Sequence, residues 1–141
     1  MFFLPEARVR KAVTSNAGVY MIPTITGYGE ENYGYPHSLG GTPFTDDDIA
    51  TYFATPMIVH LGIADTIRDT DFPTDEAAEA QGNTRLARGH FFFNYAREAA
   101  EAAGVPFNWQ LVEVPGIAHD SRGMARTPVT GVADLLYEDR K

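Results

Sequence analysis

The chain has 141 residues, 44% of them apolar, which suits one packed domain and excludes a disordered segment. Its formal net charge of −8 argues against nucleic acid and against an anionic membrane surface, since both need a basic face. The absence of cysteine excludes disulfides, thiolate zinc sites and a cysteine nucleophile.

Met1-Phe2-Phe3-Leu4 is apolar but is stopped at once by Pro5-Glu6. It is too short for a signal peptide and reads as the last turn of a helix. Residues 9–15 form a short strand candidate that ends in Asn16-Ala17-Gly18. Residues 23–44 hold Pro23, Pro36, Pro43 and Gly40-Gly41, and read as a long loop. Thr45 then precedes three aspartates and Ile49-Ala50-Thr51-Tyr52-Phe53. A threonine cap and early carboxylates favour a short helix there, closed by Thr55-Pro56.

Met57-Ile58-Val59-His60-Leu61 is an apolar run ending at Gly62, as expected of a strand buried on both faces. The acidic stretch from Ile63 to Glu79 contains Pro73 and reads as a loop. A helix is expected from Gln81 to Ala103, with Gly104 as its stop and Pro106 blocking continuation. Phe107 to Val114 alternates and predicts a third strand, ended by Pro115-Gly116. A last helix falls within Asp120 to Tyr137, interrupted near Pro128. Strands alternating with helices predict an α/β fold with about three parallel strands and crossover helices. Three strands are few for such a sheet. One edge is left open, and association through that edge is expected.

Ligands of open α/β sheets bind outside the carboxyl ends of the strands. Asp65 follows the second strand in Gly62-Ile63-Ala64-Asp65, and His119 follows the third in Gly116-Ile117-Ala118-His119. Parallel strands bring both turns to the same end. A carboxylate there can orient an imidazole, and the imidazole can take a proton from a serine hydroxyl near neutral pH.

Gly-x-x-Asp after one strand and Gly-x-x-His after a later one, together with Ala80-Gln81-Gly82-Asn83-Thr84-Arg85-Leu86-Ala87-Arg88-Gly89, resemble bacterial α/β-hydrolases of the polyhydroxybutyrate-depolymerase and esterase type. The resemblance covers nearly the whole chain. It implies a partial α/β-hydrolase fold in which residues 1–141 form the C-terminal portion. Asp65 would be the triad acid and His119 the general base. Asp69 or Asp71 is the alternative acid. Met1 to Leu4 would end the nucleophile helix, and the Gly-x-Ser-x-Gly turn and oxyanion loop would lie upstream. The implied substrate is a small-molecule or polymer ester, with no cofactor. The alternative is a non-catalytic remnant or binding module of the same fold.

Other features read differently. Tyr35-Pro36-His37-Ser38-Leu39-Gly40-Gly41 mimics a nucleophile turn, but no apolar strand precedes it and Pro43 follows, so Ser38 reads as a loop serine. Ser15 lacks a glycine frame. His60 reads as a packed strand residue, His90 as a structural or exposed helix residue, and Asp120 as a helix cap. The four histidines are too dispersed for a metal site, and the acidic loop from Asp65 to Glu76 does not match a calcium loop. Gly27-Tyr28-Gly29 lacks the third glycine and the strand–helix setting of a dinucleotide site.

Overall fold

The fold is taken from a computed structural model that describes residues 9–137. The expected helix end at Met1 to Leu4 lies outside the described residues. Three strands, β1 (Ala12–Ser15), β2 (Met57–Gly62) and β3 (Trp109–Val114), form one sheet in the order β1-β2-β3. Both pairings are parallel, with Ala12 opposite Met57 and Met57 opposite Trp109. Every residue of β2 is buried, whereas β1 is only partly covered. That contrast explains why β2 is continuously apolar.

Between the strands lie α1 (Asp46–Ala54), α2 (Glu76–Glu79) and α3 (Arg85–Ala103). Beyond β3 lie α4 (Ser121–Arg126) and α5 (Val132–Tyr137). Thr45 caps α1 in a reciprocal box with Asp48. Gly104, at φ 66°, ends α3 in the left-handed conformation that glycine adopts without a Cβ penalty.

Residues 23–44 carry neither helix nor strand, only the isolated bridges Ile22–Ser38 and Tyr28–Tyr33. The expected helix from Gln81 starts instead at Arg85, because Thr84 takes the cap and accepts from the Ala87 amide. Gln81 is used otherwise. Its buried amide accepts from Tyr20 N–H at 2.9 Å and donates to the Tyr20 carbonyl at 2.7 Å. The stretch expected as a loop to Glu79 also gains α2, capped by Asp75.

Strand alternation divides the core. Met57, Val59 and Leu61 join Phe92, Ala96 and Ala100 of α3, Phe53 of α1, and Trp109 in one apolar cluster. The other face carries Ile58 and His60, and α5 is tied to the residue before β1 by a 2.8 Å bond from Lys11 Nζ to the Leu135 carbonyl. The sheet is therefore covered on both sides, and its carboxyl end is left for the loops that follow each strand.

Candidate active site

Asp65 is placed by the turn that closes β2. The Asp65 amide donates to the Gly62 carbonyl at 3.1 Å, and the Asp65 carbonyl accepts from Leu86 at 3.2 Å. The turn after β3 docks on it, with the Ala64 amide donating to the Ile117 carbonyl at 3.0 Å and Ile63 to Val114 at 3.0 Å. Gly62 makes this approach possible. A Cβ at that position would lie 2.3 Å from the Ile117 carbonyl oxygen.

These contacts set His119 Nδ1 3.0 Å from Asp65 Oδ2. The acid side chain is 2% exposed and the imidazole 50%. A carboxylate has no proton to give at neutral pH, so Nδ1–H is the donor. Nε2 then carries the lone pair, the state a general base requires. His119 lines a cavity of about 300 Å³ together with Ser15, Asn16, Ser121, Met124 and Val132.

The alternative acids stand elsewhere. Asp69 receives two hydrogen bonds from Arg85, at 3.0 and 2.8 Å, and these hold its carboxyl below the usual range. Asp71 donates its amide to Asp69 Oδ1. Arg85 Nη1 lies 3.9 Å from Asp65 Oδ1, so a buried guanidinium stands beside the acid, on the oxygen that does not meet His119.

Ser38 is buried. Its hydroxyl donates to the Tyr33 carbonyl at 2.7 Å and accepts from Gly40 N–H at 3.0 Å, which makes it a loop brace. Ser15 Oγ lies 2.9 Å from His60 Nδ1. This serine–imidazole contact is a poor catalytic pair. His60 is fully buried, and burial disfavours the imidazolium that a base must become. His90 pairs with Glu113 at 3.0 Å, and Asp120 caps α4 by accepting from Arg122 N–H. No group of three or more His, Asp or Glu residues able to hold a metal occurs among the described residues. No helix there is long and apolar enough to cross a membrane.

Burial lowers the His60 pKa from its ordinary 6.5, with the Thr130 backbone acting in the opposite sense. The unfolded chain therefore takes up this proton first on acidification. The stability tied to a neutral His60 is complete above the ordinary value and falls as pH drops below it. The urea midpoint is expected to be lower at pH 5 than at pH 7.5, with a shallower pH dependence in His60→Gln. An equal slope in both proteins would remove His60 as the cause.

Sequence reasoning passed over Asn16 and Arg85. Arg85 lies in the segment quoted above, but nothing in its spacing points at Asp65. Asn16 sat in a run of small residues that read only as the end of a strand.

No protein-family model matches the chain, and no curated protein matches it. Solved structures do, two of them as follows. A poly(3-hydroxybutyrate) depolymerase from Bordetella parapertussis matches with a TM-score of 0.80 and 31% identity, over 97% of this chain and 44% of that one. Poly(aspartic acid) hydrolase-1 from Sphingomonas sp. KT-1 matches with a TM-score of 0.77 and 33% identity, over 84% of this chain and 43% of that one. The chain thus spans less than half the length of either protein. With this likeness joined to a parallel sheet of three strands, the chain has part of an α/β-hydrolase fold.

Proposed function

We propose that the chain supplies the acid and the base of a serine-hydrolase site acting on carboxylic esters, with Asp65 orienting His119 and His119 accepting the proton of a serine nucleophile. The observation that carries this reading is the 3.0 Å contact between a buried carboxylate and a half-exposed imidazole, at the carboxyl ends of adjacent parallel strands. In such a site the base takes the hydroxyl proton as the oxygen attacks the acyl carbon, then returns it to the leaving alcohol. The carboxylate fixes the tautomer and stabilises the imidazolium. The printed names of the two similar proteins support acyl cleavage in a polymer, where poly(3-hydroxybutyrate) is a polyester and poly(aspartic acid) a polyamide, so the first of them supports the ester.

A second reading is a non-catalytic module of the same fold. One observation favours it: among the described residues, no serine hydroxyl is hydrogen-bonded to His119.

Hydrolysis of p-nitrophenyl butyrate and labelling by a fluorophosphonate probe are measured for the chain alone and for the chain joined to an upstream α/β-hydrolase half that carries a serine nucleophile turn. The catalytic reading expects neither turnover nor label from the chain alone, which lacks the nucleophile turn. In the joined protein it expects turnover that His119→Ala abolishes, that Asp65→Asn lowers by up to about 10⁴-fold, and that Ser38→Ala leaves intact. A joined protein that takes the label on its serine turn but shows no turnover supports the non-catalytic module. Turnover by the chain alone that Ser38→Ala abolishes and Asp65→Asn retains would sink the Asp65–His119 assignment.

A further inference from the structure

We propose that Asn16 is a positioning residue whose single side-chain amide sets the spacing between the Asp65 turn and the His119 turn. The inference rests on the catalytic reading of that pair and adds a third strand to its support.

Asn16 is the residue after β1. Its backbone is held to the sheet by a 3.2 Å bond from its N–H to the His60 carbonyl. Its φ is 45°, a left-handed conformation that asparagine tolerates better than most residues. The conformation turns the side chain back over the end of the sheet, where the residue is 6% exposed. There Oδ1 accepts from Gly62 N–H at 2.8 Å, and Nδ2 donates to the Ala118 carbonyl at 3.1 Å.

The two bonds differ in what they do. In a central parallel strand, successive backbone groups bond alternately to the two neighbours. Asn16 N–H already bonds to His60, so the next inner-strand donor toward β1 is Gly62 N–H. β1 has ended by then, and the side-chain oxygen takes the place of its next carbonyl. That bond alone would be a strand cap. The second bond goes beyond capping, because it reaches the residue before His119, on a turn that belongs to β3. Gly62 opens the turn that carries Asp65. One planar group thus fixes both turns from a third element, and the cavity beside His119 is lined by the same residue.

The chemistry selects asparagine. Aspartate has no donor for Ala118 at neutral pH, and serine has a single polar atom. Glutamine is one methylene longer, and alanine would combine an unfavourable positive φ with the loss of both bonds.

The test is NMR of the chain labelled with nitrogen-15, comparing wild type, Asn16→Gly and Asn16→Asp. Glycine accepts the positive φ and removes the amide. Aspartate keeps the acceptor and removes the donor. Wild type is expected to show His119 in the Nδ1-protonated tautomer and a Gly62 amide protected from exchange. In Asn16→Gly, the Gly62 amide exchanges roughly tenfold faster and the His119 ring nitrogens shift toward a tautomer mixture. In Asn16→Asp, Gly62 protection is kept while the His119 signature is lost, a split that a purely structural cap would not produce. Protection of Val59 and Leu61 in both variants reports that the sheet is intact. A wild-type His119 signature that survives both substitutions overturns the inference alone. A wild type without that signature overturns the Asp65–His119 reading, and this inference with it.

Discussion

Gly62→Ala is expected to separate Asp65 from His119. The new methyl would sit 2.3 Å from the Ile117 carbonyl oxygen and 3.1 Å from that of Ala118. Both neighbours are backbone, so neither can rotate away. The Ile117 carbonyl also accepts from Ala64, and a shift large enough to clear the methyl breaks that bond. His119 then moves as the next part of the same turn. Overpacking of this kind costs about 1–3 kcal/mol. The cost falls on the contact between the two turns, since β2 is otherwise paired along its length with β3. Urea unfolding should show a lowered midpoint, and the Nδ1 proton resonance of His119 should vanish. A variant with both unchanged would show that the turns tolerate the methyl. The constraint would then be weaker than the geometry implies.

Trp109→Ala is expected to cost about 3–5 kcal/mol. That is a large part of the 5–15 kcal/mol typical of a folded domain. The indole is the meeting point of the aromatic core. Its ring lies 4.8 Å from Tyr52, 5.1 Å from Phe92, 5.3 Å from Phe107 and 5.9 Å from Phe53. Its Nε1–H donates to the Tyr52 carbonyl at 3.1 Å. Truncation removes packing between β3, α1 and α3 at one stroke, while the Tyr52 carbonyl keeps the Thr55 amide as a donor. The effect is therefore a cavity effect rather than an orphaned polar group. Because this is the sole tryptophan of the chain, circular dichroism must read the transition. Trp109→Phe should recover part of the loss. A Trp109→Ala midpoint within error of wild type would show that the cluster is not the stabilising core.

The two effects differ in kind. Trp109 lies at the start of β3 and supports the sheet as a whole, whereas Gly62 lies at the end of β2 and supports a single approach between turns. Loss of the first should melt the site with the fold. Loss of the second should disable the site while most of the fold remains, which makes Gly62→Ala the cleaner probe of how the acid and base are held.

The sequence by itself determined the parts whose signals are local. The continuous apolar run of β2 marked a strand buried on both faces, the alternation from Phe107 marked β3, and Thr45 and Gly104 marked helix ends. Parallel strands have their carboxyl ends on one side, so Asp65 and His119 could be placed together from chain order alone. Tertiary structure decided what depends on contacts distant in sequence. Arg85 stands beside Asp65 because α3 starts at Arg85, after the Thr84 cap, rather than at Gln81, whose side chain bonds instead to the Tyr20 backbone. Gly62 is required by a carbonyl more than fifty residues away, not by its own dihedral angles. Asn16 acquired its place because β1 ends opposite His60, two residues before Gly62, and its amide meets two turns that no periodicity connects. Such relations leave no pattern in a single sequence, because they are set by how strand ends, turns and side-chain lengths register in three dimensions.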